Sequence, residues 1–272
     1  MTAEASLSGD QRRIGFGATL ASEWTKLWSV RSTWVSVGLA LVLPVALAAL
    51  LGVSIGATAD DPQMQIDAFD PILFSLPGSI FILILLSVLG VMFVSSEYSS
   101  GMIRLTLTVT PQRGRILAAK ALIIGLVALV AGTVATVAMF LVSQAIFGSY
   151  DLPTVSLEDP DAVRAVAGVS LTAPVFPLIA VALGFLLRST AGAITAVLGI
   201  VFLPDVLAPL LPAWWQENVL VYLPSAASDA VSIGHLEQVP FALDQAPAIA
   251  VTVGWVAAFL VLAYVALGRR DA

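Results

Sequence analysis

The sequence predicts an all-α membrane protein with six transmembrane helices, and three observations carry that expectation. Hydrophobic residues make up 59% of the 272-residue chain and charged residues only 11%, with a mean hydropathy of +0.99. An ordinary soluble domain carries roughly 25% charged residues. Six apolar windows, at about 33–55, 72–94, 117–147, 165–187, 190–211 and 246–267, are long enough to cross a hydrocarbon core of roughly 30 Å as helices. The basic residues segregate between the connections. Arg12, Arg13, Lys26 and Arg31 precede the first window, Arg104, Arg113, Arg115 and Lys120 lie around the second-to-third connection, Arg188 follows the fourth window, and Arg269 and Arg270 follow the sixth. All eleven fall on one side of a six-span chain; only Arg164 falls on the other, among Asp151, Glu158, Asp159 and Asp161. The positive-inside rule then places both termini in the cytosol.

Each element follows from its residues. A tail, 1–13, leads into an amphipathic helix over 14–32, where Leu20, Trp24, Leu27, Trp28 and Arg31 recur at helical spacing with Glu23 and Lys26 on other faces. Such a helix lies in the inner interface, where tryptophan is favoured. A plain extension of the first span into the cytosol is the other reading. The acids at the start of the chain do not make the short basic leader of a signal peptide. The six spans occupy 33–268, followed by a tail, 269–272. They are continuous and rich in Ala, Leu and Val rather than alternating, which favours helices over a barrel. The third exceeds what a bilayer needs and must tilt or overhang one interface. Pro174 and Pro177 in the fourth read as kink formers. The fifth-to-sixth connection, 212–245, mixes Trp214, Trp215 and Tyr222 with an apolar run over 219–223. Short helices dipping back into the outer leaflet account for this mixture, and so does a surface loop with an aromatic belt.

Several chemistries are excluded. The two lysines follow Thr25 and Ala119, so no G-x-x-x-x-G-K-[ST] phosphate loop exists in this chain. The run Leu7–Ser8–Gly9–Asp10–Gln11 looks like an ATPase signature peptide, but without a phosphate loop it is a chance match. No cysteine is present, which removes disulfides, thiolate metal sites and thiol nucleophiles. His235 is the only histidine, sits in an outer loop, and rules out a two-histidine zinc site. Asp205, beside Pro204 and near Pro209, is the one acid inside an apolar window and a candidate for a substrate pathway. Capping of amides freed by proline explains it equally. No catalytic residue, metal ligand or nucleic-acid surface emerges.

The second-to-third connection, 95–120, carries Glu97–Tyr98, Gly101, Ile103–Arg104, Thr110–Pro111, Arg113 and Ala119–Lys120. That pattern resembles the type-2 ABC exporter permeases, particularly actinobacterial members. Glu23–Trp24–Thr25–Lys26–Leu27, Arg31–Ser32–Thr33–Trp34, Arg188–Ser189–Thr190–Ala191–Gly192–Ala193 and Leu223–Pro224–Ser225 agree with it, so the resemblance spans nearly the whole chain. It implies an elbow helix at the N-terminus, re-entrant helices between spans five and six, and a coupling helix between spans two and three. The coupling helix would dock on a separate cytosolic ABC ATPase through Glu97, Tyr98, Gly101, Arg104 and Arg113. ATP and Mg would be bound by that partner, with no cofactor in this chain. The resemblance further implies a second permease subunit, most simply a homodimer, in a bacterial plasma membrane. Cargo would be hydrophobic or amphipathic, in keeping with apolar spans that hold scattered Ser, Thr and Gln144. An ion-coupled secondary transporter, or a membrane anchor or sensor for an ATPase, are the competing readings. The first of these lacks polar ligand sets near the midplane of related halves.

Overall fold

The computed structural model describes residues 15–58, 69–102, 112–233 and 242–269, and among these it is helical with no strand. Six of its helices or helix pairs are long and apolar enough to cross a membrane: Arg31–Ala57, Ser79–Ser99, Arg113–Ser149, Pro160–Leu187, Thr190–Leu210 and Gln245–Arg269.

Helix α1 (Phe16–Ser29) and helix α2 (Arg31–Ala57) meet at Val30, whose φ of −98° and ψ of 128° are extended. The N-terminal helix is therefore a separate element and not the start of the first span. Thr33 Oγ1 donates to Leu27 O at 2.6 Å and Trp34 Nε1 donates to Trp28 O at 3.1 Å, which satisfies carbonyls left open at the corner. The Trp28 ring packs between Trp24 and Trp34.

Helix α3 (Ser79–Ser99) begins later than the apolar window that predicts it. Pro71 and Pro77 interrupt the run, and Asp70 Oδ1 accepts from the amides of Ile72 and Leu73, starting a 3₁₀ turn at Leu73–Ser75 instead. Helix α4 (Arg113–Ser149) has 37 residues, about 55 Å at 1.5 Å per residue, and overhangs the apolar layer. Near its end, Gln144 Nε2 donates to Pro71 O and Ser75 Oγ, while Gln144 Oε1 accepts from Val155 N. This amide ties together two loops; it is structural rather than cargo-facing.

The fourth span is two helices. Helix α5 (Pro160–Thr172) is capped by Asp159, which accepts from the Asp161 and Ala162 amides, and it stops at Ala173–Pro174 before helix α6 (Val175–Leu187). Pro174 has no N–H to continue the ladder. Arg188 then takes a left-handed φ of 52°, and Ser189 caps helix α7 (Thr190–Leu207) through the Gly192 amide. Beyond α7 lie a 3₁₀ turn (Ala208–Leu210), helix α8 (Ala213–Asn218), a second 3₁₀ turn (Leu220–Tyr222), helix α9 (Pro224–Ser232) and helix α10 (Gln245–Arg269). Over its described residues 212–233 this connection is made of short helices.

Alternating helix directions give the molecule two ends. The loop end gathers α1, the end of α3, the start of α4, the α6–α7 turn and the end of α10; the far end gathers the starts of α3 and α5 with α8 and α9. Between them α3, α4 and α6 form the core, with Leu86, Val94, Ile123, Ile124, Val181 and Phe185 buried together. Helices α2, α7 and α10 bury little of themselves and expose Val42, Leu50, Leu203, Val206, Val253 and Val261, as helices facing lipid or another apolar chain do.

At the far end α5 and α9 cross closely. A Cβ added at Gly168 would lie 2.5 Å from Ser232 Cα and 2.7 Å from Val231 O, both backbone atoms. Gly168→Val should therefore lower the thermal midpoint of the purified chain in detergent, through overpacking of about 1–3 kcal/mol. Gly199→Ala, at a position with nothing within 4 Å, is the control and should leave it unchanged. Equal midpoints for the two variants would contradict the α5–α9 crossing.

Candidate functional site

Four charged side chains from three elements meet at the loop end. Lys120, in the second turn of α4, has its Nζ 2.7 Å from Glu23 Oε2 of α1 and 3.0 Å from Glu97 Oε1 of α3. Lys26, one turn along α1, has its Nζ 2.6 Å from Glu23 Oε1 and 3.0 Å from the same Glu97 Oε1. The charges alternate and sum to zero. Lys120 donates to Glu97 Oε1 and to Phe93 O, each at 3.0 Å, and pairs with Glu23 by charge; its Nζ lies 3.9 Å from the Phe93 ring centre. Lys120 is 0% exposed, Glu23 2% and Glu97 6%.

Burial of Glu23 would raise its carboxyl pKa, but the Lys120 and Lys26 ammoniums outweigh it and hold the group below the usual carboxylate range. Burial of Lys26 would lower its pKa, but hydrogen bonds and attraction from Glu23 and Glu97 raise it instead. Both acid and base therefore stay charged at neutral pH.

The residues that the sequence nominates for docking divide around this network. Glu97 is buried, with its Oε1 engaged by Lys26 and Lys120. Tyr98 is half-buried, edge-on to Phe185, with the Arg188 guanidinium 5.4 Å from its ring centre. Arg113 Nη1 donates to Leu267 O at 2.6 Å, tying the start of α4 to the end of α10. Gly101 is exposed with a φ of +71°, the left-handed turn that sends the chain out of α3. Arg104 lies outside the described residues. Thr190 Oγ1 adds a 2.8 Å bond to Ser95 Oγ, closing the α6–α7 turn onto α3. The elements that launch and receive the 99–113 connection are thus pinned to α1, α7 and α10.

Sequence reasoning leaves Glu23, Lys26 and Lys120 out of any site. It turns the polar face of α1 toward solvent, whereas Thr19, Glu23 and Leu27 are its buried residues and Trp24 is exposed. The available signal is Lys120 itself, a lysine flanked by Ala119 and Ala121 at the start of an apolar run, which requires an acid nearby.

At the far end a cavity of about 370 Å³ lies between the start of α3, the α5–α6 break, α7 and α9. Asp205 of α7 and Asp229 of α9 both line it. Asp229 is exposed to the cavity, and desolvation among its lining residues, and then the Asp205 carboxylate, push it up to about 7. No group of three or more His, Asp or Glu side chains able to hold a metal occurs among the described residues.

Residues 19–203, more than half of the chain, match the sequence model of the ABC-2 family transporter proteins. A search of curated proteins gives no match.

Removing one member of the loop-end network should be costly. Lys120→Met leaves two buried carboxylates facing each other with one lysine, a loss of about 3–5 kcal/mol. The thermal midpoint should drop sharply and recover in part in Lys120→Met/Glu23→Gln. A single variant as stable as the parent would show that the network does not hold the fold. The pH response follows from the same geometry. With a depressed folded pKa, Glu23 contributes fully above its ordinary value of 4.5 and loses this as pH falls through the folded value. With a raised one, Lys26 contributes fully below 10.5 and loses this at higher pH. A spin label on Ser22→Cys, an exposed position of α1, should keep constant mobility between these limits and gain mobility in acid. A gain of mobility already above pH 4.5, where a lowered carboxyl pKa keeps Glu23 ionised, would contradict it.

Proposed function

Because the chain belongs to the ABC-2 transporter family, we propose that this permease is the transmembrane half of an ATP-driven exporter whose 99–113 connection docks on a separate cytosolic ATPase. The observation that carries the reading is the charge network, because Glu97 stands just before the connection and Lys120 just after it, and both are locked to α1. A connection meant to transmit force needs ends that cannot yield separately. In this reading Glu97 is a positioning residue, while Gly101 and Arg104 belong to the part that meets the ATPase, and Tyr98 and Arg113 brace it. A cleft of about 350 Å³ lined by Lys26, Ser29, Ser96, Ser100 and Met102 opens beside the network and offers room for a partner's side chain.

Several finer points belong to the same proposal. The asymmetry of basic residues puts both termini and the loop end in the cytosol. Helix α1 lies along the inner interface, with Trp24 and Trp34 exposed toward the headgroups. The apolar, scarcely buried faces of α7 and α10 suit a second copy of the chain, and α8 and α9 suit re-entrant helices at the outer surface. ATP and Mg are bound by the partner, and this chain has no catalytic residue of its own.

Arg104→Glu should reduce recovery of the ATPase in pull-downs by about tenfold while membrane insertion is normal. Glu97→Gln should reduce it only together with a lower thermal midpoint. Full recovery with Arg104→Glu would overturn the docking assignment. Cysteines at Ser100 and Asp159 should label from the cytosolic and external sides respectively; labelling from one side would overturn the orientation.

A further inference from the structure

The far-end cavity differs from the loop-end cluster in one respect that matters for binding: its charges are not balanced. Asp205 and Asp229 both face it, and both also face an adjoining cavity of about 250 Å³, yet among the described residues no lysine or arginine lines either space. Three serines of α9 line the larger cavity beside the two acids, Ser79 of α3 and Thr172 of α5 add hydroxyls, and Ile80, Leu83 and Phe176 supply apolar lining. Ser228 Oγ donates to Pro224 O and Ser232 Oγ donates to Ser228 O, but Ser225 Oγ, in a residue only 5% exposed, has no partner among the described residues. A buried hydroxyl left without a partner is costly. The volume is within the roughly 300–1,000 Å³ of small-molecule sites.

We propose that this cavity binds an organic cation with an apolar body, its positive centre held by Asp205 and Asp229 and its apolar part against Ile80, Leu83 and Phe176. The proposal rests on the exporter reading only in naming the cation as cargo; binding itself requires no ATPase. An anion meets two carboxylates with no countercharge. A small metal ion meets two acids where stable coordination takes more ligands, and an apolar lining that supplies none. With a neutral amphiphile bound, the repulsion between the two acids is relieved only by a proton on Asp229, whereas a monovalent cation relieves it directly and its apolar groups displace water from the apolar lining.

The test uses the full-length chain in phosphatidylcholine nanodiscs, without ATPase or nucleotide, with empty nanodiscs subtracted. Equilibrium dialysis compares tetraphenylphosphonium with tetraphenylborate, ions of matching shape and opposite charge. Saturable binding of the phosphonium alone is expected, weakened at least tenfold in Asp205→Asn/Asp229→Asn. Saturable borate binding of similar strength, or an unchanged phosphonium affinity in that variant, would overturn the site. Should the double variant fail to fold, Ile80→Trp, which fills the cavity from the apolar side, must also abolish binding, and wild-type affinity there sinks the proposal. The same samples are mixed with the ATPase. ATPase recovery without cation binding refutes this inference alone, and cation binding without ATPase recovery refutes the exporter reading while the site stands.

Discussion

A lysine ammonium with no exposure to water sets the terms for one end of this protein. Lys120 is held where removing charge from solvent costs several kcal/mol, and its position is tolerable only because Glu97 and Phe93 O accept hydrogen bonds from it while Glu23 pairs with it by charge. None of these three partners is local in sequence to it. Helix α1 must therefore lie across the starts of α2 and α4, and α3 must end beside them, or the charge is stranded. Apolar packing holds the spans together without direction, whereas this cluster fixes a register. Glu23 meets Lys120 only if α1 is turned with its polar side inward, which leaves Trp24 facing out. The tryptophans that make α1 look like an interfacial helix are displayed because the charges face the core.

Hydropathy makes the spans legible, since the energy of burying a helix in lipid is summed over about twenty residues and tolerates local errors. Interruptions are less so. The start of α3 depends on Asp70 capping the Ile72 and Leu73 amides, and the break at Pro174 depends on α5 and α6 each finding partners. Gln144 reads in sequence as one polar residue in an apolar run; its work as a tie between two loops emerges only when Pro71, Ser75 and Val155 come to it. The candidate site shows the same division. A conspicuous cluster of charges around the second-to-third connection is visible in the sequence, but the partners of those charges lie tens of residues away, and no periodicity records a pair such as Lys26 and Glu97. The burial of Glu97 against two lysines is consequently not legible in the sequence.

The two ends of the molecule treat charge in opposite ways, and this bears on what each can do. At the loop end two acids and two bases alternate, so an approaching partner meets little net field from them, and displacing any one leaves the others uncompensated. Such a cluster resists deformation and passes displacement on as a body. At the far end two acids line one cavity without a base among the described residues, and Ser225 has a hydroxyl without a partner among them. That arrangement is unfinished by itself and is completed by something that arrives from outside. The span linking the two is itself divided at Ala173–Pro174, so that α6 packs with α3 toward the loop end while α5 packs with α9 toward the cavity. A span without continuous hydrogen bonding can change its angle at the break at lower cost than one with an unbroken ladder. The break borders the cavity, with Thr172 and Ala173 among its walls. Movement of α6 with the rigid loop end would therefore alter the shape of the cavity first, which is where a transporter needs its energy to be felt.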